Sequence, residues 1–163
     1  MVVESLAQRW SISLHAAPAV RVGAAEVNGQ RIMLVQPQMF MNRSGEVLAT
    51  LAPDGAPIIA AYDDLDLAVG RVRVRAGGGS GGHRGVASLV EHVGPDFLRI
   101  RIGIGRPPAG MDVAEYVLAV PSAPETALLD AAVARAAEAV ECIVSDGPTV
   151  AMNRFNGLPA VEP

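Results

Sequence analysis

The segment that most restricts how this chain folds is a glycine-rich run, GGGSGGHRG, at residues 77–85. Six of its nine residues are glycine, and it also carries His83 and Arg84. Glycine weakens the interior of a helix or strand, and it is favoured where the backbone takes a positive φ or approaches another group closely. The run therefore predicts a loop that lies against a ligand, with an imidazole and a guanidinium beside it.

The elements around this loop predict an α/β fold: a single domain with a mixed β-sheet flanked by helices. Asn28-Gly29 predicts a hairpin turn between two strands, and alternating Arg and Val or Ile predict two further strands. Ser122 and Glu125 form a capping box at the start of the last predicted helix, which Gly147-Pro148 ends. The predicted strands cover residues 20–27, 30–36, 57–62, 71–75 and 99–102, and the predicted helices cover 3–10, 43–51, 85–93 and the stretch from 122 to 147.

Composition narrows the class of protein. The 163 residues are enough for one domain, half of them are hydrophobic and only 4% are aromatic, which predicts a core of small side chains. There is no apolar run of the roughly 18 to 20 residues that a membrane span needs, and the N-terminus has no signal-peptide pattern. The single Cys142 fits a reducing compartment. We expect a cytoplasmic protein with no membrane partner.

The charge distribution favours a polyanionic partner despite a net charge of −4. All 13 basic residues are arginine, and residues 71–106 hold seven of them against two acids, Glu91 and Asp96. Arginine binds phosphate in a bidentate manner, and a local basic patch rather than net charge meets a nucleic-acid backbone. The alternative is that these arginines only lie on the solvent-exposed face of a strand and bind no partner.

The loop also fits the pattern G-x-G-x-x-G at Gly77, Gly79 and Gly82, which raises the possibility of nucleotide binding. The context disfavours it, because dinucleotide-binding folds place the motif in the first strand–helix turn and an acid after the next strand. Here the next strand ends in Gly103-Ile104-Gly105-Arg106. A Walker A motif is absent from the sequence as well.

Three carboxylates, those of Asp63, Asp64 and Asp66, follow an apolar strand. Asp64 and Asp66 are interpreted as ordinary turn acids, and a metal site is disfavoured because the spacing matches no known ligand pattern. Asp63, at the end of a buried strand, suits the orientation of an imidazole. Of the three histidines, His83 is the plausible partner, since His15 is predicted in a loop and His92 on a helix.

Asn42 closes the apolar stretch Gln38-Met39-Phe40-Met41. One interpretation is a helix N-cap, for which asparagine is favoured. The other is a donor aimed at a carbonyl oxygen, as oxyanion stabilisation requires.

Four ordered segments, QPQMFMNRSG, YDDLDLAVGRVRV, GGGSGGHRG and LRIRIGIGRPP, together with the tail segments AEYVLAVPS and MNRF, resemble the bacterial peptidyl-tRNA hydrolase family over nearly the whole chain. The resemblance implies a monomeric α/β hydrolase that cleaves the ester between peptide and tRNA, without metal or cofactor. It gives Asp63 the role of orienting a general-base histidine. It implies that the substrate or tRNA is bound by Phe40, Met41, Asn42, His83 and Arg84.

The chain departs from the family pattern at two places. Arg84 stands where the family has asparagine, so the acceptor of a neutral amide is lost there. The second departure is at the N-terminus. The family begins with a strand and a loop of the type GLGNPG…TRHN, which carries the catalytic histidine, whereas this sequence starts at the helix that follows them. We expect a domain over residues 1–163 without that strand and loop, open strand edges, and little hydrolase activity. A non-catalytic RNA-binding paralogue of the same fold is the alternative.

Overall fold

A computed structural model describes residues 1–161, which form six strands, six α-helices and one short 3-10 helix at Met41–Arg43. This confirms the α/β fold that the sequence predicts. The helices are α1 (Val2–Arg9), α2 (Ser44–Leu51), α3 (Arg84–Val93), α4 (Val113–Leu118), α5 (Ala123–Asp146) and α6 (Pro148–Asn156). The strands are β1 (His15–Ala17), β2 (Val20–Val27), β3 (Gln30–Pro37), β4 (Ile59–Asp64), β5 (Val72–Ala76) and β6 (Leu98–Gly103).

The chain divides into two compact units, residues 1–60 with 76–98 and residues 61–75 with the chain from 99 onward. In the first unit, β1, β2 and β3 form an antiparallel sheet with α1 packed on β3. Its buried side chains include Leu6, Ile12, Val20 and Leu34. The assignment of residues 1–163 to one domain stays a prediction.

The hairpin between β2 and β3 has the predicted turn. Asn28 and Gly29 have φ values of 50° and 73°, and Val27 pairs with Gln30. Positive φ at both central residues is the conformation that Asn-Gly favours. His15, which we predicted in a loop, instead lies in the exposed strand β1, paired with Val22. This three-residue strand is too short to show an alternating sequence pattern, and it forms because it pairs with β2.

The second sheet has the order β4-β6-β5 and is mixed, as predicted. Leu98 N donates to Ile58 O and Ile104 N to Asp64 O, so β4 and β6 run parallel. Gly103 N donates to Arg71 O and Gly77 N to Phe97 O, so β5 and β6 run antiparallel. One face of this sheet buries the apolar residues of β5 and β6, namely Val72, Val74, Ile100 and Ile102.

Helices α5 and α6 pack against each other through small side chains in the second unit. The buried residues of α5 include alanines at positions 132, 136, 137 and 139, and Ala151 of α6 is also buried. The predicted capping box is present, with Ser122 N donating to Glu125 Oε2 at 3.0 Å. Gly147, with φ 89°, separates the two helices. Alanine lets helix axes approach closely, which agrees with the small-residue core expected from composition.

Candidate functional site

The glycine-rich run is the loop between β5 and α3, and its backbone uses positive φ angles as predicted. Gly77, Gly78, Gly81 and Gly82 have φ values of 57°, 112°, 58° and 84°. A Cβ at Gly81 or Gly82 would meet nothing within 4 Å, so backbone conformation rather than lack of space requires glycine there.

His83 ends the loop and caps helix α3. Its Nδ1 accepts a hydrogen bond from Val86 N–H at 3.1 Å. A ring nitrogen that accepts carries no proton, so the proton of the neutral imidazole is on Nε2. Nε2 is then a hydrogen-bond donor, whereas a general base must accept a proton. This geometry favours a binding role for His83 over a role as replacement base.

The 3-10 helix that carries Met41 and Asn42 packs on the first turn of α3. A Cβ at Gly85 would stand 3.2 Å from Met41 O and 3.0 Å from His83 Cε1, so glycine at position 85 permits this close approach. Within the first unit, the structure therefore brings the segment of Phe40, Met41 and Asn42 together with the helix start that bears His83 and Arg84.

Helices α2 and α3 cross in direct contact at Gly45 and Ser88. Gly45 N donates to the buried Ser88 Oγ at 3.0 Å, and a Cβ at Gly45 would stand only 2.0 Å from Ser88 O. Gly45 is in the first turn of α2, whose N-cap residue Arg43 makes no side-chain capping bond. Ser88 thus supplies, from a neighbouring helix, the acceptor that an N-cap side chain normally provides.

Asn42 is not the N-cap of α2, so that interpretation is wrong; the N-cap position belongs to Arg43. The preceding 3-10 turn moves the helix start by one residue. The Asn42 side chain is exposed and makes no hydrogen bond with the described residues. Its amide is therefore available to a ligand, which keeps the interpretation as a carbonyl-binding donor.

Asp63 lies half-buried on β4 in the second unit, and its proposed role stays a prediction. Asp64 and Asp66 have structural partners. Asp64 Oδ1 accepts from Asp66 N at 2.8 Å, and Asp64 Oδ2 pairs with Arg101 Nε at 2.5 Å. The hydrogen bond that Arg101 donates to the Asp64 carboxylate raises the pKa of Arg101 above its ordinary value. Asp66 pairs with Arg106 at the surface. Asp66 lies in a turn, as interpreted, whereas Asp64 is the last residue of β4, and its carboxylate accepts from the turn that follows.

Fewer arginines of the stretch at residues 71–106 are available to bind phosphate than the sequence predicts. Arg99 is only 2% exposed, and Arg71 Nη2 donates to Asn156 O at 3.2 Å. With Arg101 and Arg106 paired to carboxylates, the remaining basic residues of the stretch are Arg73, Arg75 and Arg84. These three are exposed and form no ion pair with the described residues. The phosphate-binding candidates are thus reduced from seven to three.

Two residues of structural consequence were missed by sequence reasoning, Ser88 and Asn156. Ser88 sits inside a predicted helix, where serine has no motif, and its partner Gly45 is 43 residues away. Asn156 hydrogen-bonds β5 from the end of α6, with 82 residues separating it from Val74. A single sequence carries no signal for contacts at such separations.

Among residues 1–161, no group of three or more His, Cys, Asp or Glu side chains is placed to hold a metal ion. No helix in the same part of the chain has the length and apolar character needed to cross a bilayer.

Comparison with known proteins assigns the family. Residues 1–162 match the family model described as peptidyl-tRNA hydrolase. The chain is 43% identical over 156 residues to the peptidyl-tRNA hydrolase of Rubrobacter xylanophilus and 45% identical over 161 residues to that of Geobacillus kaustophilus. These alignments cover 96% and 95% of this chain and 87% of each relative.

Solved structures agree with the sequence matches. The crystal structure of Acinetobacter baumannii peptidyl-tRNA hydrolase is similar with a TM-score of 0.84 at 35% identity, over 96% of this chain and 83% of that one. A peptidyl-tRNA hydrolase in complex with N-propanol gives a TM-score of 0.86 at 34% identity, over 98% of this chain and 85% of that one. This chain therefore belongs to the peptidyl-tRNA hydrolase family.

Proposed function

We propose that this chain acts on peptidyl-tRNA, hydrolysing the ester bond between the peptide and the tRNA so that both are released. The observation that carries the proposal is the match of residues 1–162 to the peptidyl-tRNA hydrolase family model. The proposed enzyme is a cytoplasmic monomer that uses neither metal nor cofactor, as the family resemblance implies.

The reaction needs a general base, a hydrogen-bond donor that stabilises the oxyanion, and groups that bind both the peptide and the tRNA. A base takes a proton from water as the water oxygen attacks the carbonyl carbon of the ester. The bond from that carbon to the ribose oxygen then breaks, and the ribose oxygen receives a proton. The peptide leaves as a carboxylate. In the proposal, Asp63 orients the base histidine of the family pattern and stabilises its charged form.

The first unit supplies the proposed binding groups. The exposed amide of Asn42 donates to the carbonyl oxygen as negative charge develops on it. The Nε2–H of His83, held by the N-cap bond from Val86, donates to the peptide. Phe40 is 85% exposed and offers a ring on which a base or a peptide side chain stacks. Met41 extends that apolar surface, and Arg84 offers a cation to phosphate.

For a polypeptide of these 163 residues alone, we propose slow turnover. General-base catalysis contributes about 10²- to 10⁴-fold to a rate, and the Nε2 of His83 is a donor rather than an acceptor. An RNA-binding protein without catalysis is the second candidate. Its candidate RNA-binding groups are Arg73 and Arg75, which are exposed and have no carboxylate partner among the described residues.

The test measures single-turnover deacylation of an N-acyl-aminoacyl-tRNA by the 163-residue polypeptide, beside the Geobacillus kaustophilus relative. We expect a rate about 10²- to 10⁴-fold below that of the relative, rising when imidazole is added to supply a base. Asp63→Asn is expected to remove the imidazole-dependent part of the rate. Asp54→Asn, at an exposed acid in a turn, is the matched control and leaves it unchanged.

Each outcome separates the candidates. A rate equal to that of the relative contradicts the proposal of slow turnover but supports the proposal that the chain is a hydrolase. Binding of tRNA with no hydrolysis, even with imidazole, supports the non-catalytic candidate. Neither binding nor hydrolysis by a folded polypeptide overturns the proposal.

A further inference from the structure

β5 is an edge strand of its sheet, and the centre of its outer edge is closed by a side chain. Residues 71 and 77 hydrogen-bond to the chain of β6, so the intervening odd-numbered residues face β6 as well. The N–H and C=O of Val74 consequently point outward. Such groups on an open edge invite pairing with another strand.

Asn156, the last residue of α6, satisfies both of these groups. Val74 N donates to Asn156 Oδ1 at 2.8 Å, and Asn156 Nδ2 donates to Val74 O at 3.0 Å. The side-chain amide thus takes the place that the peptide group of a neighbouring strand would have. The half-buried position of Asn156 and the buried ring of the adjacent Phe155 fix where this amide lies.

The backbone of Asn156 makes a third bond to the same stretch of chain. Its carbonyl, which ends α6, accepts from Arg71 Nη2 at 3.2 Å. A cation is favoured at the C-terminal end of a helix. Arg71 is therefore held immediately before β5, and Val74 is held at the middle of the strand.

The residues on either side of Val74 are the two exposed arginines of the strand, Arg73 and Arg75. An arginine contributes more to phosphate binding when its backbone is fixed, because less freedom is then given up on binding. Arg73 and Arg75 also have no carboxylate partner among the described residues to hold them. Their placement depends on the strand itself, which is held by β6 along one edge and by Asn156 at Val74 on the other edge.

We propose that Asn156 is a positioning residue for RNA binding, which holds β5 so that Arg73 and Arg75 are presented together to a phosphate backbone. The inference rests on the proposed function, since it takes tRNA as the polyanion. It adds a residue that touches no substrate and acts through the main chain of Val74.

The test uses Asn156→Ala with Asn153→Ala as the matched control, since the side chain of Asn153 is exposed on the same helix and makes no hydrogen bond with the described residues. The probe is uncharged tRNA, with its binding constant measured from low to high salt. Arg73→Ala/Arg75→Ala is expected to lower the slope of log K against log salt by up to about 1.8, or about 0.9 for each phosphate that is no longer neutralised. Asn156→Ala is expected to weaken binding about three- to tenfold and to lower the slope by part of that amount.

Amide hydrogen exchange at Val74 gives an independent readout. Asn156→Ala is expected to speed exchange there, because the N–H loses its acceptor. Faster exchange with unchanged tRNA affinity and slope overturns the inference, leaving a purely structural bond. If Asn156→Ala does not fold, Asn156→Leu, an uncharged side chain of similar size with no hydrogen-bonding group for Val74, carries the same measurements.

The proposed function fails in a distinguishable way. If the double arginine variant binds tRNA as the wild type does, the RNA surface itself is wrong, whatever Asn156 does. If the double variant loses affinity and Asn156→Ala does not, the RNA surface stands and the positioning role is overturned.

Discussion

Replacing Gly45 with alanine tests the helix crossing that holds Asn42 beside the start of α3. The added Cβ would stand 2.0 Å from Ser88 O and 2.5 Å from Ser88 C, both backbone atoms, where ordinary van der Waals distances begin at 3.4 Å. The two helices must therefore separate by about 1 Å or more. The hydrogen bond from Gly45 N to Ser88 Oγ, 3.0 Å long and buried, does not survive such a shift.

The magnitude follows from opposing effects. Alanine favours a helix over glycine by about 1 kcal/mol. Overpacking a close approach costs about 1–3 kcal/mol, and leaving the buried N–H without its acceptor costs about 1–3 kcal/mol. The costs exceed the gain, and we expect the free energy of unfolding to fall by about 3 kcal/mol. For a chain of this size that lowers Tm by about 6–12 °C.

Thermal and urea unfolding of Gly45→Ala measure this loss, with Gly157→Ala as the control. Gly157 follows α6 with φ −80°, and a Cβ there meets nothing within 4 Å, so alanine is expected to be neutral or slightly stabilising. A Gly45→Ala protein with the Tm of the wild type would refute the reasoning, since it would mean that α2 and α3 do not approach each other at their backbones.

Two further predictions concern carboxylates. Asp64→Asn removes the charge that pairs with Arg101, and the side chains of Asp64 and Arg101 are only 12% and 22% exposed. We expect this variant to lower the free energy of unfolding in urea by about 1–3 kcal/mol. Asp66→Asn, in a surface ion pair, is expected to lower it by only about 0–1 kcal/mol, and equal losses for the two variants would contradict this. Hydrogen bonds from Ser122 lower the pKa of Glu125, so its stabilisation is present above the pKa of the unfolded chain and is lost as pH falls through the lowered folded-state pKa. The difference in unfolding free energy between wild type and Glu125→Gln should therefore shrink on acidification, and a difference that grows would refute the assignment.

The sequence predicted those parts of the fold that short-range chemistry decides. The Asn28-Gly29 turn, the capping box of Ser122 and Glu125, and the positive φ angles of the glycine loop depend on a few adjacent residues, and each is present. Of the two interpretations of Asn42, the helix N-cap was wrong because a 3-10 turn comes first. That turn is stabilised by its packing on α3, which is distant from it along the chain.

The candidate site was predicted by residue type and resemblance, but its working geometry was not. From the sequence, His83 was able to act either as base or as donor; its N-cap bond from Val86 makes Nε2 the donor. The sequence indicated seven arginines, and the structure leaves three exposed without a carboxylate partner among the described residues.

By itself, the sequence determined the Asn28-Gly29 turn, the start of α5 and the family that the chain resembles, because those properties depend on local backbone preference and on motifs in order. Only the tertiary structure decided that Ser88 completes the first turn of α2 and that Asn156 closes the edge of β5. Both are single hydrogen-bonding side chains that meet backbone groups far away in sequence, and burial at those places makes the bonds necessary.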